Sequence, residues 1–95
     1  MVIGTHLESS YRMLREAYQN GISDADYYPL VALLYEDFSD RNLAEVISCF
    51  TGKEYSVVIN DIANSQNEMS PHPEEVIRIR NKLERHGYSE WKLEE

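Results

Sequence analysis

The sequence predicts an all-α fold: a compact bundle of about five short helices in a single domain spanning residues 1–95. Three observations point to it. Apolar residues recur at three- and four-residue steps in successive segments. Isolated glycines (Gly21, Gly52, Gly87) stand where those segments end, as helix stops do. The 95 residues are 42% hydrophobic and 27% charged, an ordinary balance for a folded chain. A chain this long buries roughly 60–65% of the surface its unfolded form exposes, enough for one core.

The first helix is expected from about Thr5 to Asn20, with Leu7, Tyr11, Leu14 and Tyr18 on one face and Asn20-Gly21 as a left-handed stop. In the second, Ser23 and Asp26 have capping-box spacing. Proline, however, is tolerated only in a first turn, so Pro29 makes Asp26 the expected cap, with a loose turn before it. No charge interrupts Tyr27 to Tyr35. Leu30, Leu33, Leu34 and Phe38 form one apolar stripe and Tyr28, Val31 and Tyr35 another, so this helix is either central or has a second partner.

Ser39 caps the third helix, whose Leu43, Val46, Ile47 and Phe50 share a face and which Gly52 ends. Tyr55–Ile62 contains Val57-Val58-Ile59, a run that suits a strand. A lone strand has no ladder partner for its backbone, so a helix with Tyr55, Val58, Ile59 and Ile62 on one face is the expectation. Residues 64–72 read as a loop. Pro73 then opens a helix with Glu74-Glu75 at its positive end, turns Val76, Ile79 and Leu83 inward, and stops at Gly87. Tyr88, Trp91 and Leu93 make a short tail able to pack back on the bundle.

Seventeen acids face nine Lys and Arg, a net charge of −8. Residues 1–70 carry −7 of it and residues 71–95 carry −1. Such a field repels phosphate backbones and anionic lipid and attracts basic surfaces. Cys49 is alone, which fits a reducing compartment. Met1-Val2-Ile3 runs straight into Gly4, Thr5, His6 and Glu8 without a signal-peptide pattern, and no apolar run approaches the ~20 residues of a membrane span. The expectation is a cytoplasmic protein that does not enter membranes.

No constellation points to catalysis, a cofactor or a metal. Cys49 lies between Ile47 and Phe50 on an apolar helix in an acidic chain, where a thiolate is disfavoured. His6, His72 and His86 follow no ligand spacing. Glu36, Asp37 and Asp40 flank a helix junction and read as dipole partner and solvated surface rather than as an acid–base pair. Arg78, Lys82 and Arg85 share a helical face that could touch nucleic acid, but Glu74, Glu75 and Glu84 interleave them, so an ion-paired face is the plainer reading. Of the seven tyrosines, Tyr27 reads as a core residue with a satisfied hydroxyl. Tyr28 and Tyr35 read as contact residues, because tyrosine brings apolar area and a polar tip at low entropic cost.

The segment Asp26-Tyr27-Tyr28-Pro29-Leu30-Val31-Ala32-Leu33-Leu34 resembles the Asp-Tyr-x-Pro-Leu-x-Ala-Leu-Leu signature of domain-of-unknown-function family 3349, small helical proteins of mycobacterial type. Ser39-Asp40, the Val57–Ile62 run and Pro73-Glu74-Glu75-Val76 with Arg78, Arg80, Leu83 and Gly87 extend the likeness over roughly residues 21–91. Met69-Ser70-Pro71-His72-Pro73 departs from the family's usual Leu-Pro by an insertion. The resemblance implies a compact bundle of about five helices and no assigned catalytic residues. In character alone (size, acidity, paired tyrosines) the chain is also similar to bacterial immunity proteins that block nuclease toxins.

The functional expectation is therefore a non-enzymatic, protein-binding module of the immunity or antitoxin type. It would cover the basic active site of a nuclease toxin with an acidic, tyrosine-bearing surface built from Asp24, Tyr28, Tyr35, Glu36, Asp37 and Asp40. No small-molecule substrate is expected. The alternative is a small regulator contacting nucleic acid through Arg78, Lys82 and Arg85.

Overall fold

A computed structural model describes residues 7–94, with the side chains of residues 93 and 94 left aside. Six helices follow in order: α1 (Glu8–Ala17), α2 (Asp24–Tyr35), α3 (Asp40–Thr51), α4 (Tyr55–Ser65), α5 (Pro73–Glu84) and α6 (Tyr88–Glu94). There is no strand among the described residues. The first five are the expected helices. The sixth is the expected tail, which coils as it packs back. The Cα radius of gyration, 12.2 Å, equals the ~12 Å of a close-packed globule of this length.

α2 is the central element, packed against α3, α4 and α5. That position explains its apolar circumference: Tyr27, Leu30, Val31, Leu33 and Leu34 are all buried, and each faces a neighbouring helix. α1 packs on α3, α5 and α6, so the last helix closes against the first. Trp91, 4% exposed, stacks on Phe38 at 5.4 Å and on Tyr88 at 5.8 Å, and donates its indole N–H to the buried Ser10 hydroxyl at 3.0 Å.

Several boundaries follow from local chemistry. The Ser39 Oγ accepts from the Asn42 N–H at 3.2 Å, and Gly52 ends α3 in the left-handed region at φ 80°. Pro73 occupies the first position of α5, where the Glu75 carboxylate reaches back to accept from the His72 N–H at 3.3 Å. That bond gives the His72/Glu75 spacing a capping role. α4 is helical despite its Val-Val-Ile run. Val58 and Ile62, four apart, are fully buried against α2 and α3, whereas Tyr55 turns out to the surface.

Late in the chain, α4 runs through Ser65 into the segment expected to be a loop, and α5 ends at Glu84, ahead of Gly87; two earlier boundaries also differ from expectation. α1 ends at Ala17, not at Asn20-Gly21, because Tyr18 leaves helical geometry (φ −127°, ψ 65°) to bury its ring, 4% exposed. Gly21 serves the following turn instead, its N–H donating to the Tyr18 carbonyl at 3.0 Å. Its φ of 86° is one that a Cβ would strain. α2 begins at Asp24 with Ser23 as its N-cap, so Pro29 lies inside the helix rather than in its first turn. The missing N–H costs one bond, to the carbonyl of Ala25, which sits in an exposed turn open to water. Asp26 is therefore no cap: its carboxylate is 2.9 Å from the Arg78 guanidinium of α5.

Candidate functional site

The polar chemistry of the bundle is concentrated in three clusters, each joining an aspartate of low exposure to a tyrosine and a cation. In the first, the Tyr27 hydroxyl donates to Asp61 Oδ2 at 2.7 Å and the Tyr28 hydroxyl to Oδ1 at 3.2 Å. The two rings meet edge to face at 5.2 Å. Lys53 lies 3.9 Å from the same carboxylate and 4.3 Å above the Tyr27 ring. In the second, the Tyr88 hydroxyl donates to Asp37 Oδ2 at 2.7 Å, while Lys92 is 3.5 Å from Oδ1 and 5.4 Å from the Tyr88 ring centroid. In the third, Asp26 pairs with Arg78 beside Tyr18, whose ring carries Lys82 at 4.1 Å.

The electrostatics of these clusters favour neutral phenols. Burial pushes the Tyr27 hydroxyl well above the usual tyrosine pKa, and its bond to the Asp61 carboxylate adds to the effect. Burial does the same for Tyr88, reinforced by Asp37, and for Tyr18, reinforced by the charge of Asp26 and opposed by Arg78. The half-buried Tyr28 is also raised, by desolvation and then by Asp61. A hydroxyl that holds its proton donates to a carboxylate, so Tyr27, Tyr28 and Tyr88 clamp distant parts of the chain together through Asp61 and Asp37. The Tyr18 hydroxyl is buried close to the Asp26 carboxylate but makes no hydrogen bond of good geometry among the described residues.

The six expected contact residues are distributed unevenly. Asp24, Tyr28 and Tyr35 lie on one stripe of α2, because steps of four and seven residues return to the same face. Asp24 is exposed and lines a pocket of about 220 Å³ with Tyr27, Phe50 and Lys53. Tyr28 and Tyr35 are half-buried against the core, and Tyr28 has its polar tip already engaged by Asp61. Glu36 and Asp40 are exposed at the α2–α3 junction, with Glu36 about 18 Å along from Asp24 by helix rise. Asp37 lies between them, but its side chain is only 14% exposed and is held by Tyr88 and Lys92. It is a structural acceptor rather than the solvated surface group its position suggested.

Of the basic face on α5, Arg78 is committed to Asp26 and Lys82 to the Tyr18 ring, leaving Arg85 exposed. Tyr27 is the core residue with a satisfied hydroxyl that the sequence suggested. Asp61 and Tyr88 were missed as polar anchors. Their partners are 34 and 51 residues away, and no local spacing signals such a bond. Cys49 is half-buried on α3. Among the described residues no group of three or more His, Cys, Asp or Glu could hold a metal ion, and no helix is long and apolar enough to cross a membrane.

These features define a small all-helical protein whose tyrosines and inner aspartates tie the bundle together while its outer carboxylates stay in solvent. The chain belongs to the DUF3349 family, described as proteins of unknown function, whose family model matches residues 5–93. No curated protein and no solved structure matched the chain.

Proposed function

We propose that the protein is a non-catalytic binding module of the immunity or antitoxin type, which neutralises a basic nuclease by covering its active site. One observation carries the reading. The three ion pairs among the described residues all use inward-lying aspartates (Asp26, Asp37, Asp61), so the exposed Asp24, Glu36 and Asp40 are ion-paired to no other described residue. Exposed carboxylates of this kind on a chain of net charge −8 create a field that accelerates encounter with a cationic surface and disfavours anionic ones. The half-buried rings of Tyr28 and Tyr35, on the same helix stripe as Asp24, supply apolar contact area beside that charge.

The test is inhibition of a panel of cationic bacterial nuclease-toxin domains in a cleavage assay. The native protein is expected to block at least one of them near a one-to-one ratio. The triple reversal Asp24→Lys, Glu36→Lys, Asp40→Lys should slow association at least tenfold and flatten its salt dependence. Inhibition indifferent to both salt and the reversal, or no inhibition across the panel, overturns the proposal.

A further inference from the structure

The seam between α2 and α5 holds two clefts, of about 310 and 120 Å³, that adjoin across Ala32, Val76 and Arg80, which line both. The larger has an apolar side formed by Ala32, Pro71, Pro73, Val76 and Ile77, with Ser65, Gln66, Ser70 and Arg80 completing its rim, and Ile77 is 52% exposed. The smaller is charged, lined by Glu36, Asp37, Arg80, Tyr88 and Lys92. Within it Asp37 is already held by the Tyr88 hydroxyl and by Lys92. One carboxylate and one guanidinium remain, Glu36 and Arg80, neither ion-paired to another described residue.

That arrangement selects its occupant by charge. An anion drawn to Arg80 would meet Glu36 and Asp37, and a cation drawn to Glu36 would meet Arg80 and Lys92. A molecule bearing both charges on groups attached to one carbon satisfies both, with Arg80 offering paired N–H donors to a carboxylate and Glu36 accepting from an ammonium. An apolar substituent on the same carbon then enters the neighbouring cleft and leaves water. The geometry points to a binding site for a free apolar α-amino acid of about leucine size, taken as its zwitterion. Glu36 and Arg80 hold the two charges and the Ala32–Ile77 cleft holds the side chain, and Glu36 is shared with the acidic face of the proposed function.

The experiment is a titration followed by ¹⁵N–¹H correlation spectra, with L-leucine as the probe. Isoamylamine, which lacks the carboxylate, 4-methylpentanoate, which lacks the ammonium, and glycine, which lacks the side chain, serve as comparisons. Leucine should give saturable shifts at Ala32, Val76 and Ile77 with Kd on the order of 1 mM, as so few partly solvated contacts allow. Each truncated probe should bind at least tenfold more weakly. Both Glu36→Gln and Arg80→Gln, at exposed positions that leave the fold's spectrum dispersed, should weaken leucine by a similar factor. Absence of saturable shifts up to about 20 mM leucine, or equal binding of isoamylamine, overturns the site. So does equal binding of the uncharged N-acetyl-leucinamide, which would assign the clefts to an internal segment of a partner chain.

Discussion

Removing the Asp61 carboxylate tests whether the tyrosine clamps hold the bundle. Asp61→Ala strands the Tyr27 hydroxyl, whose residue is 5% exposed, and leaves Tyr28 and Lys53 without their shared acceptor. The 2.7 Å bond from Tyr27 is charge-assisted, a class that contributes about 1.5–3 kcal/mol, and a buried hydroxyl left unpaired costs about 1–3 kcal/mol. Tyr28 is half-buried and can turn to water, and the 3.9 Å contact with the exposed Lys53 adds little. The single change should therefore cost about 2–4 kcal/mol. Tyr27→Phe alone removes one of the bonds to Asp61 and should cost about 1–2 kcal/mol. In the double variant the orphaned hydroxyl is gone, so the two costs should overlap by about 1–2 kcal/mol. Urea unfolding of the four proteins, followed by circular dichroism, reads the cycle. Additivity to within about 0.5 kcal/mol would show that Tyr27 and Asp61 contribute separately and would refute the clamp.

Trp91→Ala should destabilise the protein by about 3–5 kcal/mol in the same assay, since it empties a site walled by Phe38, Tyr88 and Ser10 and leaves the Ser10 hydroxyl buried. Gly52→Ala should cost about 1 kcal/mol although a Cβ there meets nothing within 4 Å, because the strain lies in the backbone at φ 80°. Raised phenol pKa values place a pH limit on the fold. Tyr18, Tyr27 and Tyr88 keep their protons when folded and release them near the ordinary pKa of 10 when unfolded. Their stability is complete below pH 10 and declines above it, by up to about 1.4 kcal/mol per pH unit for each tyrosine. Tyrosinate absorbance near 295 nm should therefore gain these three groups together with loss of helix; their ionisation ahead of unfolding would contradict the burial argument.

The helices were legible in the sequence wherever a local rule and the apolar period agreed. For α3, Ser39, the Leu43–Phe50 face and Gly52 all mark the same element. For α5, Pro73 and the Val76, Ile79, Leu83 face do likewise. Legibility failed where a distant contact outweighed a local signal. Tyr18 ends α1 three residues ahead of the glycine because its ring has a place beneath α5, where Lys82 covers it. Asp26 gives up capping for Arg78, 52 positions later in the chain. The carboxylates of the candidate site carried no mark of which would face inward. Glu36 and Asp37 are adjacent and chemically alike, yet Tyr88 and Lys92, supplied by the last helix, make one an anchor and leave the other in water.

The bond between Trp91 and Ser10 spans 81 residues and closes the first helix against the last. At synthesis rates of about 5–20 residues per second, α1 is synthesised roughly 4–16 s before the indole that completes its packing. During that interval Leu14 and Tyr18 have α3, and then α5, to lean on, but the surface that α6 will cover stays wet. The packing of α1 is therefore completed only once Trp91 has been made, and a stop codon at or just before position 91 would release a polypeptide whose α1 lacks that cover.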